Sequence, residues 1–229
     1  MAGLELLSEQ GYHVDRCHAG KLCQICARMG IFTQADGSAY PEQGNTKALA
    51  AIYGPHEMCG SRSKTLHDQA LVNWKFSMAI FTTGKHMQQP HGDCKASEMT
   101  LHLKQTFEAT ILMQLYTRSQ INIYIQFLQA DSGNYCASMN AATLAVMWDF
   151  VCASLGGFIE DTPLADLNYV ETLLPKSDQI ALLEMNARLH DDHLERIMEA
   201  ASKACKDVYA VLDQVVWEYF QEVTALLGK

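Results

Sequence analysis

The sequence predicts an α+β protein, and three observations lead there. Residues 28–54 carry two Gly-containing turn signals between apolar stretches, which reads as a strand meander. Residues 97–115 switch to apolar residues four apart, the spacing of a helix. From about residue 190 an apolar stripe keeps helical spacing as far as Val216. Strands come in runs that helices follow, so the helices are expected grouped on one side of the sheets.

The elements follow in order. In "RMGIFTQADGSAYPEQGNTKALAAIYG" (28–54), Asp36-Gly37 and Gly44-Asn45 are both expected as hairpin turns. "ALVNWKFSMAIF" (70–81) mixes aromatic and β-branched residues and predicts another strand, followed by a polar loop over 82–95. Over 97–115 the helical face is drawn from Met99, Leu101, Leu103, Phe107, Ile111, Leu112 and Leu115. "QINIYIQFLQA" (120–130) alternates apolar and polar residues and is a strand. "CASMNAATLAVM" (136–147) is small and apolar on most sides, so it is expected as a buried helix packed on that strand. "DFVCASLGGFIE" and "DQIALLEM" are two further strands. In the last helix, Asp192 and Glu195 form a capping box, and Leu194, Ile197, Met198, Ala201, Cys205, Val208, Leu212, Val215 and Val216 form the buried stripe.

Composition narrows the function. A net charge of −9 with six arginines argues against indiscriminate nucleic-acid binding, which needs clustered cations. It leaves room for a local basic strip. No window reaches the roughly 18 apolar residues of a membrane span, and the N-terminus lacks a basic segment before an apolar one, so an intracellular chain without membrane partner is expected. Eight irregularly spaced cysteines read as reduced thiols. Cys17, His18, Cys23 and Cys26 include one C-x-x-C, but a structural zinc site usually has two such knuckles, and no metal or cofactor is expected.

Four motifs in series carry more information: "EQGNTKALAAIYGP" (42–55), "PHGDCKASEM" (90–99), "LQADSGNYCASMNAATLAV" (128–146) and "ALLEMNARLHDDHLERIMEAA" (181–201). Together they resemble the RNase PH superfamily, and within it the ring subunits of the eukaryotic RNA exosome. The resemblance implies an RNase PH-like fold over 1–229, two β-α-β-α halves in one domain. It implies partners too, namely other RNase PH-like ring subunits and threaded single-stranded RNA, with no DNA. It implies work in RNA processing and degradation, rRNA processing included, in nucleus, nucleolus and cytoplasm. Cys17, His18, Cys23, Cys94, Gln88, Gln89 and Trp217 stand where the family favours arginine or another basic residue, so the C-x-x-C reads as substitution.

Active members of the superfamily degrade RNA from its 3′ end by phosphorolysis. That chemistry needs donors around the attacking phosphate, cations against shared negative charge, and carboxylates that place a metal or move a proton. The family's phosphate cradle resembles G-G-T-R at a helix start; here the matching run is Ser132, Gly133, Asn134 and Tyr135. Tyr135 has no guanidinium fork. Lys95 holds a second cation position as a point charge. Of the paired carboxylates, Asp166 fits the first and Thr172 replaces the second. Lys95 and Asp166 are therefore vestigial, function is lost at Asn134, Tyr135 and Thr172, and a non-catalytic ring subunit is expected. An active phosphate-dependent 3′ exoribonuclease and a decayed copy without specific function are the alternatives.

The resemblance also places the loop "GSRSK" at the mouth of an RNA channel, where Arg62 and Lys64, with Lys95, would touch phosphates without reading sequence. Two segments are short against the family pattern, near 146–150 and near 171–175. The first is expected to trim a helix or delay a strand, the second to remove part of a strand.

Overall fold

A computed structural model of the chain describes residues 24–57, 70–82, 94–111, 115–131, 133–149, 156–161, 168–174, 179–185 and 191–227. Its elements are β1 (Ile25–Met29), β2 (Gly37–Gln43), β3 (Thr46–Glu57), β4 (Leu71–Met78), α1 (Cys94–Thr110), β5 (Ser119–Gln129), α2 (Asn134–Asp149), β6 (Gly156–Asp161), β7 (Asn168–Leu174), β8 (Gln179–Met185) and α3 (Asp191–Leu227). Five strands form one sheet in the order β1-β2-β3-β5-β4, and three form a second in the order β6-β7-β8. β4 and β5 run parallel, so α1 serves as the crossover that parallel neighbours require.

β5 shows why the large sheet forms. Its alternation puts Ile121, Ile123, Ile125 and Phe127 on one face, all buried. Ala48, Ala50 and Ile52 of β3 lie across from that row and are buried with it. The opposite face is wetter: Asn73, Lys75 and Ser77 of β4 are exposed, and Tyr124 of β5 meets Tyr53 of β3 edge to face at 5.8 Å. On the same face Arg28 pairs across from Tyr40. Burial pushes the Tyr40 phenol up, helped by a hydrogen bond to Glu42 and its charge, while Arg28 pulls it down.

All three helices lie on the buried face of the large sheet, as the order of elements predicts, and each also touches the small one. α1 packs on β4 with Leu103 and Phe107 buried, and Ile111 just past its end, and Phe107 is tilted over Trp74 at 4.8 Å between ring centroids. Leu101 and Leu115 are exposed instead. Leu101 is two residues off the i, i+4 row, and Leu115 follows the helix end at Thr110. α2 is small all round, with Ala137, Ala141, Ala142 and Ala145 buried, so it settles close against β2 and β3. Gly37 gives the measure of that approach, because a Cβ there would collide with the backbone oxygen of Ala145.

Several expectations change. Gly44-Asn45 is the β2–β3 turn as predicted, but Asp36-Gly37 is not a hairpin tip. β1 and β2 are joined by the longer stretch 30–36, Asp36 turns its carboxylate toward β3, and Gly37 already belongs to β2. The 70–81 strand stops at Met78, where Ala79–Thr82 turns back. Near the first short segment α2 keeps its last turn to Asp149 and the next strand starts late, at Gly156. β7 is a strand that the periodicity did not predict. It runs through the second short segment paired on both sides, with the register slipping between Thr172 and Leu173. Its register with β6 is unbroken, and the extra residue at the slip, Ala181, belongs to β8.

α3 begins at Asp191, so Asp192 falls in its first turn rather than at the cap. Ala201, Cys205, Val208 and Leu212 are its buried row, and Leu194, Met198, Val215 and Val216 are half-buried beside them. No helix among the described residues is long and apolar enough to cross a membrane.

Candidate functional site

The site is built where β5 hands over to α2. Gly133 has φ +67, a left-handed conformation that a side chain resists, and nothing lies within 4 Å of a Cβ built on it. The glycine is there for the backbone turn. Its carbonyl accepts the Ala137 N–H at 3.0 Å, the first helical bond, so Gly133 caps α2 and Asn134 and Tyr135 are its first two residues. Asp131 just upstream accepts a 2.9 Å hydrogen bond from Asn45 Nδ2, tying this corner to the β2–β3 turn. Nearly two turns into the helix, Asn140 Nδ2 donates to Gln43 Oε1 at 3.4 Å.

Tyr135 does not face a cradle. It is 7% exposed and belongs to the core cluster, with its ring edge-on to His102 of α1 at 6.0 Å. Asn134 presents a buried Oδ1 without a hydrogen-bond partner. This ring contact joins the head of α2 to α1. His102 escaped the sequence reading because nothing in its spacing links it to residue 135; only the ring contact in the folded chain does. Lys95 falls in the first turn of α1, about two turns ahead of His102.

The second half comes near through β8. Ala181 and Leu182 pack on the core, β8 touches α1, and Thr172 of β7 pairs with Leu182. Asp166, Ser132, Arg62 and Lys64 lie outside the described residues, as do Cys17, His18 and Cys23. Cys26 is an exposed thiol on β1, and Cys136 and Cys205 are buried; none of the three is in a disulfide.

The strand that feeds the predicted RNA loop is unusual at its end. Gly54 has φ +126, and a Cβ there would sit 2.5 Å from the backbone oxygen of Gln120. Its N–H donates to Asp36 Oδ2 at 2.9 Å, and His56 Nε2 lies 3.4 Å from the same oxygen. The β3–β5 register shifts there, between Tyr53 and His56. This bulge gives the "YGP" of the second half of the first motif its physical reason: β3 takes in one extra residue there before His56 and Glu57 resume pairing with β5.

An open sheet with helices packed between it and a smaller sheet, and a glycine-capped helix after β5, is the fold of the RNase PH class. Solved structures share it: rice Rrp46 at a TM-score of 0.73 and 16% identity, over 89% of this chain and 100% of its own, and a chain of the Archaeoglobus fulgidus exosome with RNA bound to the active site at 0.69 and 13%, over 88% and 92%. The chain belongs to the RNase PH family, whose model, "3′ exoribonuclease family, domain 1", matches residues 24–148. Exosome complex component RRP41 of Bos taurus is 60% identical over 244 aligned positions, spanning 100% of both chains. The Arabidopsis thaliana homolog of that component is 38% identical over 94% of this chain and 95% of its own. Against the bovine relative, 244 aligned positions for 229 residues mean that this chain lacks residues at some of them.

A buried ring at the head of α2 also makes a prediction. Tyr135→Arg should destabilise the fold by about 2 kcal/mol, the residue of a desolvation penalty after the long side chain snorkels outward. Urea denaturation followed by circular dichroism measures it; an unchanged midpoint would mean that the position opens to solvent.

Proposed function

We propose that this chain is a non-catalytic ring subunit of an RNA exosome, working in 3′-to-5′ RNA processing and degradation, including rRNA processing. It pairs with other RNase PH-family subunits and lines a path for single-stranded RNA. Full-length similarity to proteins named as exosome components supports the ring role. The observation that carries the non-catalytic part is Tyr135: a phosphate-side cation is replaced by a buried ring packed on His102. A missing cation or donor in such an electrostatic site typically costs about 10²–10³-fold in rate.

In this reading Arg62, Lys64 and Lys95 contact RNA phosphates, which gives affinity without sequence preference and a steep salt dependence. The protein works in nucleus, nucleolus and cytoplasm, which imaging of a tagged chain tests.

Two measurements test the function. Co-expression with RNase PH-family exosome subunits, followed by sizing, is expected to give a hetero-oligomer; a chain that stays monomeric with each of them overturns the ring role. Incubation with RNA and inorganic phosphate is expected to release no nucleoside diphosphate from the 3′ end. Phosphate-dependent release that Asp166→Asn abolishes would establish the active exoribonuclease instead.

A further inference from the structure

We infer that the C-terminal end of α3 is a protein-docking edge whose occupant is a neighbouring subunit presenting an apolar groove rimmed by lysine and arginine. The inference rests on the ring reading above and adds the surface and its chemistry. α3 spans 37 residues, about 55 Å at helical rise. Its apolar row is buried through Leu212 and half-buried through Val215, Val216 and Tyr219. Tyr219 lies against Gly30, where any Cβ would overlap the ring.

Past that contact the row continues while its cover ends. Val223 is half-buried and Leu226 is 72% exposed. On the other side of the same turns Trp217 and Phe220 are 59% and 53% exposed, their rings edge to face at 6.3 Å. Ile31 and Phe32, which directly follow Gly30, are exposed as well. A helix end that is apolar on two sides is the pattern of a covered helix. Exposed Trp and Phe in one place are the residues that dominate interfaces.

Charge selects the occupant. Between Asp207 and Leu226 the helix carries Asp207, Asp213, Glu218 and Glu222 and no lysine or arginine. A second copy would set like charges against like. The same acids repel nucleic acid and anionic bilayers. A basic-rimmed protein surface is the complement that remains.

The test uses the full chain co-expressed with RNase PH-family exosome subunits, beside a Trp217→Ala/Phe220→Ala variant and a Leu226→Glu variant. Sizing with light scattering and hydrogen exchange over residues 207–226 are the readouts. Expected are protection of that segment in the complex and at least tenfold weaker association for both variants, with unchanged melting of the isolated chains and weaker binding at high salt. Undiminished assembly of both variants without protection overturns the docking edge and leaves the ring reading standing. No complex with any subunit overturns both. A homodimer that Trp217→Ala/Phe220→Ala dissolves makes the occupant a second copy and overturns the basic-rimmed assignment.

Discussion

Phe107→Ala is expected to lower the unfolding free energy by about 3–5 kcal/mol, the range for emptying a buried aromatic site. Phe107 is 1% exposed at the centre of α1's packed row, and it supports Trp74, whose ring lies 4.8 Å away. The indole Nε1 of Trp74 is itself buried without a hydrogen-bond partner, so packing alone holds that ring. Net stabilities of domains are only about 5–15 kcal/mol, so the loss takes a large share of the total. Tryptophan fluorescence and far-ultraviolet circular dichroism in urea should report it together, with a red-shifted native spectrum as Trp74 loosens. A midpoint within error of the parent would show that α1 is not anchored to β4 through this contact.

Gly54→Ala should cost about 4 kcal/mol for a different reason. The backbone at φ +126 disfavours any side chain, which accounts for about 1–3 kcal/mol. The new methyl would also press on the Gln120 carbonyl, 2.5 Å from the Cβ position, and overpacking against rigid backbone adds about 1–3 kcal/mol. The variant loses the clasp of Asp36 on the Gly54 N–H, and with it the fixed end of β3, which leads in sequence to Arg62 and Lys64. Thermal melting measures the stability term. Weaker RNA retention at temperatures where the variant is still folded measures the second, and unaltered retention there would separate the bulge from RNA contact.

Much of this architecture was legible because burial is periodic. β5 alternates cleanly, so Ile121, Ile123, Ile125 and Phe127 announce a strand buried on one face. α2 is apolar all round, so it had to be a central helix. β7 was missed for a physical reason: in "NYVETLL" the apolar residues come in adjacent pairs, Tyr169-Val170 and Leu173-Leu174, so there is no period of two to read. Asp36-Gly37 misled because Gly37 serves close helix packing, which no local pattern distinguishes from a turn. Gly133 was found through its motif, whereas the burial of Tyr135 depends on His102, far away in sequence. A residue type tells which chemistry is absent; it does not tell which way the replacement points.

The position of β5 has a consequence for how the chain comes into being. The large sheet is ordered β1-β2-β3-β5-β4, yet β5 is translated last of the five. Until it leaves the ribosome, the β1–β3 meander and β4 each hold a naked hydrogen-bonding edge, and the alanine-rich β3 waits for a partner some seventy residues downstream. Distant pairing of this kind slows folding and prolongs exposure. During synthesis of α1 the nascent chain thus carries edges open to wrong pairing, and the arrival of "INIYIQF" is what closes them.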